Sequence, residues 1–184
     1  MRRSIYYFTM SLDGYIADAQ GGVEWMTGAP NIDYGFKEFY DQVGTIILGA
    51  RTYEHMLKMG DFFPYPDREV IVVSSNDKLK KAAECVQLSQ EDPAKTLARL
   101  QLGPEEDGLI WVGGGGELAG SMFAAGLIDE LRVFIQPIIL GEGTKALVFD
   151  QNISRALELE FSKEHPAGIV ELRYQVPKRW RSDV

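Results

Sequence analysis

Short apolar runs alternate along the chain with segments whose apolar residues recur at helical spacing. The runs cover residues 5–10, 45–48, 70–73, 109–112 and 131–135, and a further short strand is predicted at 85–88. Continuous apolar runs of this length are typical of strands buried on both faces of a parallel sheet. The alternation of strands with helices therefore predicts an α/β protein whose sheet is mostly parallel.

Four helices are predicted between these strands. Asn31 is the predicted N-cap of the first helix, and Asp92-Pro93 opens the third with a capping residue and a proline at the first helical position. Their apolar faces are Ile32, Phe36, Phe39, Tyr40 and Val43; Tyr53, Met56 and Leu57; Leu97 and Leu100; and Leu118, Met122 and Ala125.

The end of the chain changes to strict alternation of apolar and polar residues. Segments 157–161 and 169–176 alternate in this way, and the turn residues 166–168 lie between them, which predicts an antiparallel hairpin. The fold class is therefore an α/β sandwich with a mostly parallel mixed sheet and a C-terminal antiparallel hairpin. Residues 1–177 are predicted to form a single domain, and residues 178–184 an exposed basic tail.

Composition narrows the classes of function. A net charge of −8 and an isoelectric point near 4.8 argue against general affinity for nucleic acid or for an anionic membrane. Cys85 is the single cysteine, and His55 and His165 are the two histidines, so neither a thiol zinc cluster nor another metal site is expected. The chain shows no signal peptide and no long apolar span, which predicts a cytoplasmic location.

A glycine-rich junction follows the strand at 109–112. Gly113, Gly114, Gly115 and Gly116 connect this strand to the helix through Leu118, where uncapped N–H groups and the positive end of the helix dipole suit a phosphate. The sequence pattern of a kinase-type phosphate loop is not matched, because Gly120-Ser121-Met122 supplies no lysine after the glycine. The Rossmann pattern is matched from Gly114 to Ala119, but late in the chain and without an acid at the usual spacing.

Small and hydroxyl-bearing residues also end other predicted parallel strands. They lie at 11–13, 49–52 and 74–75, as well as at 113–116. Ligands of open parallel sheets bind beyond the carboxyl ends of the strands, which predicts one shared cleft. The alternative is that these residues serve only turns and packing, because such turns favour them in any case.

Taken together, these junctions resemble the dihydrofolate reductase fold, and especially the reductase domain of bacterial riboflavin biosynthesis and its small stand-alone relatives. The matching segments are 11–17, 48–54, 72–75, 112–118, 126–131 with Pro137, and 140–143. The resemblance spans most of the chain and implies a three-layer α/β/α sandwich, NADPH as cofactor and a homodimer. Apolar strand edges near 131–140 are a further reason to expect a homodimer.

The resemblance implies a cofactor site across the strand ends. The pyrophosphate would lie on the backbone of Gly113, Gly114, Gly115, Gly116, Glu117 and Leu118, with Gly49, Arg51 and Thr52 at the phosphates, Ser74 and Ser75 near the adenosine 2′-phosphate, and Ala17 near the nicotinamide. A cation is unfavourable at a helix N-terminus, so an anionic ligand accounts for Arg51 better than a bare surface does. Glu117 stands where folate reductases usually carry a basic residue.

On the substrate side, the resemblance points to Asp13 and Asp33 as catalytic residues, with Ser11, Trp25 and Thr144 lining the substrate. Asp13 is expected to donate a proton, with a pKa raised by partial burial, or a water held by Asp33 does so. The alternatives are a turn aspartate, a helix-start aspartate and a tryptophan that fills the core.

These expectations amount to an NADPH-dependent reductase that transfers hydride to a C=N or C=O carbon. The substrate would be a small molecule of the pterin-like or ribosylaminopyrimidine-like class, with 5-amino-6-(5-phosphoribosylamino)uracil as one candidate. The single cysteine excludes the zinc deaminase domain of the bifunctional riboflavin enzyme from this chain. A non-catalytic NADP(H)-binding or regulatory protein with the same fold is the alternative, and a Rossmann-type dehydrogenase is a weaker one.

Overall fold

A computed structural model describes residues 1–28, 32–60 and 62–177. The Asn31 cap and the basic tail at 178–184 lie outside these residues. The strands are β1 Ser4–Ser11, β2 Tyr15–Ala17, β3 Val43–Gly49, β4 Glu69–Val73, β5 Val86–Ser89, β6 Leu109–Gly114, β7 Glu130–Gln136, β8 Thr144–Lys145, β9 Glu158–Glu164 and β10 Val170–Gln175. The helices are α1 Phe36–Tyr40, α2 Ala50–Met56, α3 Pro93–Gln101 and α4 Gly116–Ala124.

The main sheet has eight strands in the order β5-β4-β3-β6-β1-β7-β10-β9. The strands from β5 to β7 in this order are parallel, and β10 and β9 pair antiparallel at the end. This arrangement confirms the predicted mostly parallel sheet with a C-terminal antiparallel hairpin. No helix in the described ranges is long and apolar enough to cross a membrane.

Alternate residues of β1 supply the two cores of the sandwich. Tyr6 and Phe8 face the core that contains Leu97 of α3 and Met122 of α4. Ile5 faces the other core, which contains Phe39 of α1 and Tyr53 of α2. Because successive side chains of a strand point to opposite faces, an apolar strand in the middle of the sheet serves both helical layers.

Two predicted helix boundaries are corrected by the structure. The first helix is much shorter than its apolar spacing suggests, since Tyr34 and Gly35 have φ values of 54° and 81°, and Val43 already belongs to β3. Left-handed backbone cannot continue a right-handed helix, so α1 begins only at Phe36. The second helix begins at Ala50, before the Tyr53 that opens its predicted apolar face, so Arg51 and Thr52 of the junction at 49–52 lie in the first helical turn of α2.

The apolar segment at 131–140 that was expected to form an exposed sheet edge for a homodimer does not lie at the edge of the sheet. The apolar strand at 131–135 is β7, which pairs with β1 on one side and with β10 on the other. The hairpin returns to cover β7 because β10 pairs with it along Val170 to Gln175. The strands at the sheet edges are β5 and β9, so the stated reason for a dimer at 131–140 is wrong.

Two glycines of α4 bring another backbone segment against the helix. A Cβ at Gly116 would lie 2.0 Å from the carbonyl oxygen of Lys145, and one at Gly120 would lie 1.8 Å from that of Val148. The N–H of Val148 also donates to the carbonyl oxygen of Gly116 at 3.0 Å. Backbone packing therefore requires glycine at both positions, independently of any ligand.

We expect Gly120→Ala to lower the free energy of unfolding by about 2 kcal/mol, because overpacking exceeds the gain in helix propensity. Gly60→Ala is the control, since no described atom lies within 4 Å of its Cβ position. Urea denaturation of both variants measures the difference. Equal stability of the two would show that the close backbone packing of α4 is not required.

Candidate functional site

The predicted site segments meet at the carboxyl end of the parallel strands, which is called the site edge of the main sheet below. The parallel strands β1, β3, β4, β6 and β7 end there at Ser11, Gly49, Val73, Gly114 and Gln136. Polar and small residues distant in sequence are thus neighbours, as the shared-cleft interpretation expects.

A gap opens between the two central strands at this edge. Strand β1 pairs with β7 from Ile5 to Ser11, but its register with β6 covers Ser4 to Tyr6. Beyond Tyr6 and its partner Val112, the rest of β1 pairs with β7 and the glycine end of β6 pairs with β3, and these two described segments do not pair with each other. The Trp111 side chain of β6 still reaches β1 there, where its Nε1 donates to the carbonyl oxygen of Tyr7 at 3.1 Å.

The N-termini of α2 and α4 meet beside this gap. Gly49 and Gly115 are their N-cap residues, and no side chain of the described residues caps either helix. A Cβ at Gly49 would lie 3.6 Å from the amide nitrogen of Gly115, so the two helix starts are in contact. In α4 the first intrahelical bond is donated by Ala119 to Gly115, which leaves the preceding N–H groups without helical partners. Two uncapped helix starts side by side favour an anion.

The four glycines of the junction have different roles. Gly116 is required by packing because it contacts the 145–146 backbone, whereas a Cβ at Gly113 would lie 2.6 Å from Cδ2 of Leu48 and would displace the end of that side chain. Gly114 has a φ of 103° and precedes a cis peptide bond to Gly115. At Gly115 the described atom nearest to a Cβ is Oγ1 of Thr52, at 3.4 Å. At Gly114 and Gly115 a Cβ would therefore make ordinary contacts instead of severe clashes, and the φ of Gly114 is one that favours glycine.

Arg51 and Glu117 form an ion pair across the two helix starts. The Arg51 guanidinium lies 2.7 Å from Oε1 of Glu117, and the two side chains are 76% and 69% exposed. Arg51 is in the first turn of α2 and Glu117 in the first turn of α4. The residue that departs from the folate reductase pattern therefore contacts the cation expected to bind phosphate.

Ser74 lies farther along the same edge, where β4 and β5 end. It lines a cavity of about 190 Å³ together with Leu79, Leu88 and Ser89. The Ser74 hydroxyl accepts a hydrogen bond from the N–H of Asn76 at 3.0 Å, and Ser75 is exposed. The other lining residues are Asn76, Asp77 and Gln90, so this small cavity is lined by two leucines and five polar residues.

Asp13 binds the backbone of the loop that contains Leu140 and Gly141. Its carboxylate accepts hydrogen bonds from the N–H groups of Leu140 at 3.1 Å and Gly141 at 2.7 Å, and the side chain is exposed. The pKa of Asp13 is lowered, first by a hydrogen bond from the Ser11 side chain and then by the two backbone donors. The expected increase in its pKa by partial burial is therefore wrong, because hydrogen bonds to the charged form dominate.

Asp33 caps the short helix α1. Its two carboxylate oxygens lie 3.1 and 3.0 Å from the amide nitrogen of Lys37, which donates to them. The side chain is exposed. The local reason for an acid at this helix start is thus present, and it leaves lone pairs that can hold water.

The remaining substrate-side residues surround the end of β1. The hydroxyl of Ser11 accepts from the N–H of Tyr15 at 3.0 Å, and Ala17 pairs with Thr144 where β2 meets β8. Trp25 is half-buried and donates from Nε1 to the carbonyl oxygen of Gly22 at 3.1 Å. The β2–β8 pair was not predicted, because each strand is too short to show a pattern.

Gln136 is a further polar residue that the sequence reasoning missed. It ends β7, is buried, and accepts a hydrogen bond from the Thr27 hydroxyl at 3.3 Å. The available signal was a polar residue that ends an apolar strand directly before Pro137. No group of three or more histidine, cysteine or acidic residues in the described part of the chain could hold a metal ion.

Comparison with protein families finds one match over most of the chain. Residues 3–170 match the model of the RibD C-terminal domain. The Bacillus subtilis protein YwjB is 34% identical over 143 residues, which are 77% of this chain and 80% of YwjB. The similarity to YwjB therefore covers more than three quarters of both chains.

Three solved structures share the fold. A putative riboflavin biosynthesis protein from Shewanella sp. PV-4 has a TM-score of 0.82 at 24% identity, over 95% of this chain and 99% of that one. The Thermotoga maritima deaminase and 5-amino-6-(5-phosphoribosylamino)uracil reductase has a TM-score of 0.69 at 16% identity, over 96% and 57%. Enterococcus faecalis dihydrofolate reductase complexed with NADP(H) has a TM-score of 0.63 at 20% identity, over 95% and 96%.

The ionisation state of Asp13 distinguishes two roles. A protonated Asp13 could donate a proton, whereas an ionised Asp13 accepts the hydrogen bonds of Leu140 and Gly141 and holds their loop. A lowered folded pKa means that its contribution is present above the unfolded value, about 3.9, and is lost as pH falls through the folded pKa. We expect the amide NMR signals of Leu140 and Gly141 to shift with a midpoint below about 3.9. In Asp13→Asn these shifts should disappear. A midpoint above that value would contradict the lowered pKa of Asp13, and only a midpoint near neutral pH would restore it as a protonated donor.

Proposed function

Because this chain belongs to the RibD C-terminal domain family, we propose that it is an NADPH-dependent reductase. The substrate we propose is a small molecule of the pterin-like or ribosylaminopyrimidine-like class, and hydride would pass to its C=N or C=O carbon. The Thermotoga maritima neighbour is a 5-amino-6-(5-phosphoribosylamino)uracil reductase by name, which makes that compound the first to test.

The observation that carries the proposal is the meeting of two uncapped helix starts at Gly49 and Gly115. Their N–H groups and dipoles suit a pyrophosphate, and the absence of a side chain at Gly115 would let it approach the backbone beside the Thr52 hydroxyl. Arg51 and Thr52 would add a cation and a hydroxyl at the phosphates. The residues present therefore fit a dinucleotide at this edge.

The two ends of the dinucleotide would extend in opposite directions from this point. The cavity beside Ser74, Leu79 and Leu88 would take the adenosine end, with Ser74 and Ser75 near a 2′-phosphate. The gap between β1 and β6 would take the nicotinamide, beside the segment from Ser11 to Ala17. The dinucleotide would thus run along the carboxyl ends of the strands, from its adenosine end at β4 to its nicotinamide end at β1.

Bound NADPH would supply the hydride, and the chain would align the reacting carbons and exclude water. The substrate would lie on the other side of the gap, bounded by Trp25, Asp33 and Thr144. Gln136 adds a buried amide at the end of β7 that can orient a heterocycle through its hydrogen bonds. Asp13 would keep the loop at Leu140 and Gly141 closed beside this space.

Proton delivery is assigned to water. The carboxylate of Asp13 is held in its charged form by backbone donors, so it is a poor acid. Asp33 is exposed and accepts a hydrogen bond from the Lys37 N–H, and an exposed carboxylate has lone pairs with which it would hold a water molecule near the substrate. The proton donor that we propose is therefore a water molecule held by Asp33, and not the carboxyl group of Asp13.

The setting we propose follows from the same family. The reductase would act in the cytoplasm as a single domain over residues 1–177, on a free small molecule, and as a homodimer. The basis for a dimer is the family resemblance alone, because β7 is paired on both sides.

NADPH binding tests the cofactor site first. NADPH at a hundredfold excess over its dissociation constant should raise the free energy of unfolding by about 2.7 kcal/mol. Arg51→Gln should weaken binding about tenfold, because a charge-assisted hydrogen bond to phosphate is lost. Lys58→Gln removes a charge just after the opposite end of α2 and should leave the affinity unchanged. Equal affinities of both variants would remove Arg51 from the site.

Turnover then separates an enzyme from a binding protein. NADPH absorbance should fall when 5-amino-6-(5-phosphoribosylamino)uracil or a dihydropterin is added. Binding of NADPH without oxidation by either substrate class would favour the non-catalytic alternative. Absence of any NADPH binding would overturn both.

A further inference from the structure

We propose that Glu117 competes with the pyrophosphate of the cofactor for Arg51 and thereby weakens the binding of NADPH and NADH alike. This inference rests on the proposed cofactor site. It assigns Glu117 the role of an internal anion that holds the phosphate-binding arginine while no dinucleotide is bound.

The ion pair bridges the two helix starts at the point where the phosphates would lie. The Arg51 nitrogen is 2.7 Å from Oε1 of Glu117, although the two residues are 66 positions apart. Gly49 and Gly115, the caps of the same two helices, are in contact beside this pair. A phosphate on the free N–H groups of α4 would therefore approach both Arg51 and Glu117.

The charges of the two helices explain why the pair forms. Arg51 lies in the first turn of α2, an unfavourable end for a cation, whereas Glu117 lies in the first turn of α4, a favourable end for an anion. Glu117 thus neutralises Arg51 and satisfies the dipole of α4 at once. A pyrophosphate would offer the same charges to the same groups, so the carboxylate and the ligand are equivalent partners.

Exposure makes the exchange of partners inexpensive. Both side chains are more than two-thirds exposed, at 76% and 69%. Exposed ion pairs are weak and are screened by salt, so a dinucleotide can displace the carboxylate. The arginine remains available, but each binding event must first break its contact with Glu117.

Glu117→Gln should tighten binding by about two- to fivefold near 10 mM salt, the range expected from one exposed ion pair. The gain should disappear near 1 M salt, where the Debye length is about 3 Å. Because the pyrophosphate is common to both dinucleotides, titrations with NADPH and with NADH should show the same gain. Glu106→Gln is the control, since Glu106 is an exposed carboxylate at the other end of β6 and changes the net charge equally.

A double-mutant cycle tests whether the effect passes through Arg51. The gain from Glu117→Gln should be larger in the native background than in Arg51→Gln, because only the native arginine is released. Equal gains in both backgrounds would mean direct repulsion of the ligand and would overturn the competition.

Three other results would also contradict the proposal, each in a different way. Native protein that binds neither dinucleotide would overturn the proposed function itself. Native protein that binds NADPH, with Glu117→Gln no tighter than Glu106→Gln, would overturn the competition and leave the function intact. A gain for NADPH alone would place the competition at the 2′-phosphate and overturn the pyrophosphate assignment.

Discussion

The separation of β1 from β6 is the constraint on which the rest of the site depends. Backbone hydrogen bonds join the two strands through Tyr6 and Val112, and each then continues along a different neighbour, β7 or β3. The gap is tolerable because β1 keeps its other partner to Ser11 and both helical layers stay packed on the sheet. A parallel sheet buried on both faces can open at one end without losing its core.

Glycine contributes to this edge through two separate physical effects. At Gly116 the position of a Cβ is occupied by the 145–146 backbone, and at Gly113 it is occupied by the end of the Leu48 side chain. At Gly114 and Gly115 the Thr52 hydroxyl is only at contact distance from that position, at 4.0 and 3.4 Å. A run that resembles a uniform phosphate loop therefore combines tightly packed and less crowded glycines. The less crowded pair lies where two helix dipoles converge, which is the part of the motif proposed to bind phosphate.

Acidic side chains at the edge are engaged by the protein itself. Asp13 binds two backbone N–H groups, Asp33 caps α1, and Glu117 neutralises Arg51. In a chain with a net charge of −8, such pairing reduces the repulsion that anionic ligands would meet. The same hydrogen bonds lower the pKa of Asp13, which is why the proposed proton donor is a water molecule. Electrostatics thus links the order of the loop to the proposed phosphate site and the proposed chemistry.

Local patterns in the sequence determined the strands of the main sheet, the α/β class, the closing hairpin and the glycine junction after β6, because strand and helix periodicities and turn residues act over a few positions. Only the tertiary structure showed that Asp13 binds Leu140 and Gly141, 127 and 128 positions away, and that Glu117 reaches Arg51. It also placed β7 inside the sheet. Such contacts depend on which strands pair and where they part, and no local periodicity encodes pairing between distant segments.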